Sequence, residues 1–97
     1  MTEPEQCQSM AEVRAGVDEL DGRIVALLAV RFRFMDAAAR IKPTRDKVRD
    51  EERKAAVLDH VRTDASAAGA PADAIASVYD RLVEASIAYE LERFNAR

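Results

Sequence analysis

From about Ser9 to about Lys42 no proline interrupts the chain, and Val13, Val17, Leu20, Ile24, Leu27, Leu28, Phe32, Met35 and Ala38 recur at spacings of three and four. That is the period of a helix with one apolar stripe. Roughly 33 residues rising about 1.5 Å each make a rod of roughly 50 Å, whereas a compact chain of this length has a radius of gyration near 13 Å. Two shorter helices of the same chain cannot cover such a rod. The pattern therefore asks for a second chain, with the long helices laid antiparallel and each covered in part by the other's short helices. A monomer with a long exposed helix is the alternative.

The ends of this helix carry their own signals. Ser9 reads as an N-cap and Glu12, three residues on, completes a capping box. Pro43 ends the helix, because it has no N–H and disfavours helical backbone in the residue before it. "PTRDKVRD", residues 43 to 50, is then a polar connection with Val48 as its one apolar residue. Asp50 is placed to cap a second helix whose first turn holds Glu51 and Glu52 and whose apolar face is Val57, Leu58 and Val61. Gly69 and Pro71 close it, and a third helix over about Ala72 to Phe94 is expected to bury Ile75, Val78, Leu82, Val83, Ile87, Leu91 and Phe94. The fold class is all-α: one long N-terminal helix, two shorter ones, a single domain over residues 1–97. Residues 1–8 are expected to fray, and 43–49 to form a lid-like connection.

Composition narrows the function. With 48% hydrophobic and 34% charged residues but only three Gly and three Pro, the chain has the texture of a helical bundle. One cysteine, Cys7, and one histidine, His60, allow neither an intrachain disulfide nor a Cys/His zinc cluster. A reducing cytoplasm fits. The opening "MTEPEQCQSM" lacks the basic start and apolar run of a signal peptide, and no stretch approaches the ~20 apolar residues of a membrane span. The net charge of -3 is uneven: residues 31–54 hold nine Lys/Arg against five acids, a surplus of four that leaves -7 for the rest. A local basic region in an acidic chain points to a small anionic ligand more than to nucleic acid, and Asp36, Ala37 to Ala39 and the acidic flanks of "VRFRF" argue against a membrane-surface helix.

Four cations stand out: Arg14, Arg31, Lys42 and Arg53. Arg31 follows Ile24 by seven and Leu27 by four residues, which sends its guanidinium toward the apolar stripe. A buried guanidinium needs a carboxylate, either from a ligand or from Asp18 or Asp21 of a neighbouring helix; a snorkelling side chain is the other reading. Lys42 lies eleven residues further on the same face, about 16 Å along the axis, a gap two long side chains close around a small dianion. Arg14 is about 25 Å before Arg31 on the rod. It reaches the same ligand only from the antiparallel partner. On the third helix Ser86 and Glu90 are one turn apart on an otherwise apolar face. The alternative for Glu90 is a surface ion pair with Arg93 or Arg97. No Gly-rich phosphate loop, nucleophile elbow or Ser/Cys with a nearby His is present, so covalent catalysis and a bound cofactor have no candidate residues.

In order, "VRAGVDELDGRIVALLAVR", "AARIKP", "DEER" and "SIAYE" resemble the all-helical, AroQ-type chorismate mutases and their relatives the isochorismate-pyruvate lyases, over about Cys7 to Phe94. The resemblance implies an intertwined homodimer with two buried sites and a pericyclic reaction on a small dicarboxylate, without covalent intermediate or cofactor. It implies that Arg14 of the partner chain binds one carboxylate and Arg31 the other, that Lys42 donates to the ether oxygen whose bond breaks, and that Arg53 completes the cationic shell. Glu90 stands where the family commonly has a glutamine that donates to the same oxygen, and glutamate does so only when protonated. Ser86 and Asp50 match mutase positions near the substrate's ring and hydroxyl, whereas "TEPEQC" and the compact connection look like the lyase branch. The expected activity is chorismate to prephenate, with isochorismate-pyruvate lyase as alternative. A catalytically silent helical dimer with a binding role is the reading from a different class.

Overall fold

The computed structural model describes residues 2–97. Among them the long elements are three helices, α1 (Met10–Ile41), α2 (Glu51–Ala67) and α3 (Ala72–Asn95), with no strand. Among the described residues no helix is long and apolar enough to cross a membrane. By its internal contacts the chain divides into a first unit ending at Arg33 and a second, Phe34–Arg97.

Local bonds shape the start of the first unit. A single 3₁₀ turn, Pro4–Gln6, lies within the stretch expected to fray, whose Met1 falls outside the described residues. Ser9 Oγ accepts from the Glu12 N–H at 3.2 Å, and Glu12 Oε1 reaches back to the Gln8 N–H at 3.2 Å. This is the expected capping box, displaced by one residue on its return bond. Further along, Arg23 pairs with Glu19 one turn before it at 2.7 Å. Among the described residues of this unit none is buried. The stripe of Val13, Val17, Leu20, Ile24 and Leu27 is exposed, Ile24 by 51% and Leu27 by 71%.

The second unit has a core of small side chains. Ala39, Val48, Ala65, Ala76 and Val83 are buried, and the alanines let α2 and α3 approach closely. Val83 and Glu90 follow Ala76 at steps of seven, and Ser86 lies one turn before Glu90, so all four share one face of α3. Val78, expected inside, is 64% exposed. Two residues past Ala76 turn it by roughly 200° onto the opposite side of the helix.

α2 starts where the sequence places it, with Asp50 Oδ1 accepting from the Arg53 N–H at 2.9 Å. It ends at Gly69, whose φ of 76° is the left-handed conformation that glycine adopts without penalty. There the Ala70 N–H donates to Ala65 O at 2.8 Å and the Gly69 N–H to Ser66 O at 3.2 Å, a Schellman closure.

Two ion clusters tie the unit together. Arg49 grips Glu84 with both terminal nitrogens, at 2.7 and 3.2 Å, and Lys54 reaches Glu84 at 2.9 Å and Asp80 at 2.7 Å. Those two cations hold the Glu84 carboxyl down to about 2, from an ordinary 4.5. On the far part of α3, the Tyr89 hydroxyl and Arg93 Nε both donate to Asp36 Oδ1, at 2.7 and 3.0 Å. The Tyr89 bond, then the Arg93 bond, lowers the Asp36 carboxyl below its usual range.

Candidate active site

Lys42 is the first residue past α1, and its N–H still donates to Ala38 O at 2.9 Å. Its backbone direction is thus inherited from the helix. Its Nζ lies 2.7 Å from Glu90 Oε2 and donates to the Val48 carbonyl at 3.3 Å. Glu90 is only 4% exposed. The ammonium sits beside Oε2 without the direction of a well-formed hydrogen bond, so this oxygen is charge-paired but not otherwise satisfied. A buried carboxylate left alone is costly, which makes Lys42 the condition for Glu90 being there.

One turn before Glu90, buried Ser86 donates to Leu82 O of its own helix at 2.7 Å. Lys42 thus meets Glu90 within the second unit, and Ser86 lies one turn before Glu90 on the same face of α3. Asp50 and Arg53 stand together at the start of α2, both exposed, with the Asp50 carboxylate engaged as the cap. Arg14 and Arg31 belong to the first unit, Arg14 exposed and Arg31 half-buried. The alternative pairing for Glu90 does not occur: Arg93 is bound to Asp36, and Arg97 to backbone carbonyls.

The connection 43–49 holds a 3₁₀ turn, Arg45–Lys47, and is pinned behind it by Val48, 3% exposed, and by Arg49 on Glu84. Sequence reasoning singled out Val48 as the lone apolar residue of the segment but not its carbonyl as a partner of Lys42. It considers Arg97 only as a partner of Glu90 and misses its bonds to the backbone at the end of α1. A backbone acceptor leaves no trace in residue identity; a lone valine in a polar loop is the one signal that the loop is anchored.

The pair defines its own chemistry. An ammonium has three donors and no acceptor, and a carboxyl adds a donor only in its protonated form. Together they offer one or two hydrogen-bond donors side by side, suited to an oxygen on which negative charge develops. Among the described residues no group of three His, Cys, Asp or Glu side chains is placed to hold a metal ion.

The chain is all-helical, with half-buried Lys42 at the end of its long helix paired to buried Glu90 on its last helix. The chain belongs to the family described as chorismate mutase type II, which matches residues 13–91. Among individual proteins it is similar to an isochorismate pyruvate lyase of Pseudomonas aeruginosa, 28% identical over 92 residues that cover 95% of this chain and 91% of that protein.

Proposed function

We propose that this chain is a chorismate mutase, converting chorismate to prephenate by a pericyclic rearrangement with no covalent intermediate. The observation that carries the reading is the Lys42–Glu90 pair, 2.7 Å apart and walled off from solvent on the glutamate side. Lys42 donates to the ether oxygen as its bond to carbon lengthens, and Glu90, once protonated, adds a second donor to that oxygen. Arg31 and Arg14 hold the two carboxylates, Arg53 adds to the cationic shell, and Ser86 and Asp50 lie near the ring and its hydroxyl. Holding a flexible dicarboxylate in its reactive conformation and stabilising the developing charge are the two contributions open to an enzyme without a nucleophile.

Arg14 is supplied by a second copy of the chain. The exposed stripe from Val13 to Leu27 supports this, because burying a leucine-sized side chain is worth about 1.5–3 kcal/mol and here five such residues lie open. In the homodimer each site draws on both chains.

A second reading, isochorismate-pyruvate lyase, is favoured by the name of the Pseudomonas aeruginosa relative. The same cations would hold isochorismate and release salicylate and pyruvate. Purified protein incubated separately with chorismate and isochorismate separates the readings. Prephenate from the first substrate supports the mutase, and salicylate plus pyruvate from the second alone supports the lyase. A folded dimer that turns over neither would leave only a binding role.

A further inference from the structure

Arg97 lies two residues past the end of α3, and its guanidinium reaches the end of α1. Nη1 donates to Ala39 O at 3.0 Å and to Lys42 O at 2.7 Å, with Arg40 O at 3.5 Å, and Nη2 donates to Pro43 O at 3.3 Å. The last carbonyls of a helix have no partner within it and carry the negative end of its dipole, so a cation there is favoured twice over. The fork is preoriented by Phe94, whose ring centre lies 3.9 Å from Arg97 Cζ. Lys42 is thus held at both ends: its carbonyl by Arg97, its ammonium by Glu90 and Val48 O.

We propose that Arg97 is a positioning residue, which fixes the backbone of Lys42 and so the place of its ammonium against Glu90. Lysine has four rotatable bonds, and a shift of its backbone moves the charged tip by at least as much. The planar guanidinium fork suits this task because it binds several carbonyls at once, where an ammonium is a single compact donor. The catalytic part of the inference rests on the proposed role of Lys42; the positioning part does not.

Two readouts separate them. In Arg97→Ala, kcat is expected to fall about 10- to 100-fold, the loss typical of a displaced catalytic group, with KM changing much less. Arg97→Lys, which keeps the charge and the packing of the stem, is expected to fall between. Independently of any turnover, reductive methylation read by mass spectrometry should modify Lys42 several-fold faster in Arg97→Ala, while Lys54, held by Asp80 and Glu84, keeps its wild-type rate. Equal acceleration at both lysines would mean general loosening, and no change at Lys42 would mean that Arg97 holds nothing of consequence; either overturns the proposal. If wild-type protein turned over neither substrate, the functional reading would fail and the methylation rates would still decide the positioning.

Discussion

The first unit and the second unit settle their polar and apolar groups in different ways. Before Arg31, the bonds Glu19–Arg23 and Ser9–Glu12 each stay within one helical turn, and the apolar stripe from Val13 to Leu27 stays in the open. From Phe34 on, bonds span tens of residues: Lys42 to Glu90, Arg49 to Glu84, Tyr89 to Asp36. The second unit is a solved packing problem. The first leaves its apolar stripe open, and a long amphipathic helix gains most of its stability from packing of that face, which the proposed homodimer would supply.

The sharpest way to test the contrast is to break the Lys42–Glu90 pair. Lys42→Ala removes the proposed donor to the ether oxygen and strands a buried carboxyl, so kcat/KM should drop about 10²–10³-fold. Glu90→Gln in the same background should recover thermal stability, since the amide needs no cation, but not turnover. Recovery of both would show Lys42 to be structural only.

Next comes the open stripe. Leu27→Lys should leave the helical signal of each chain intact and weaken self-association about 100-fold or more, because two copies lose their apolar contact together. Sedimentation velocity at micromolar concentration reads this directly. A variant that sediments like the wild type would remove the stripe from any interface.

A smaller effect is expected from the other half of the pair. A glutamine amide donates in any condition, whereas a glutamate donates only in its protonated form, so Glu90→Gln should retain turnover, read as kcat/KM beside the wild type. A large loss in that variant would count against residue 90 as a donor.

The smallest effect concerns stability. Glu84 is held near 2 in the folded chain against an ordinary 4.5. A depressed carboxyl contributes stability that is complete above its unfolded value and lost as pH falls toward its folded one. The loss should therefore fall between about pH 4.5 and 2. Glu84→Gln should flatten the melting temperature over that window and lower it modestly at pH 7, since Glu84 is partly exposed and solvent screens its pairs.

Much of this was legible beforehand, for physical reasons that differ by residue. The limits of α1, α2 and α3 follow from Ser9, Pro43, Asp50, Gly69 and Pro71, whose local chemistry starts or stops helices whatever surrounds them. Glu90 facing the core follows from its place with Tyr79, Leu82, Val83 and Ser86 on one apolar face of the third helix. Val78 failed because an apolar residue type was given more weight than its angle on the helix. The grip of Arg97 on α1 and the Val48 carbonyl beneath Lys42 were invisible, since both depend on backbone oxygens brought close by chain segments far apart in sequence. The positions of Arg14 and Arg31 around a ligand belong to the family resemblance and to the proposal built on it.

The clasp of Arg97 on Ala39 and Lys42 also bears on how the chain folds. It joins residues 58 and 55 positions apart, so it forms only after α3 has come back onto the end of α1. Helices form within microseconds, whereas contacts this distant in sequence wait for the loop between them to close. During refolding, then, helical content should return before Lys42 meets Glu90, and protection of the Lys42 amine from methylation would time the arrival of Arg97.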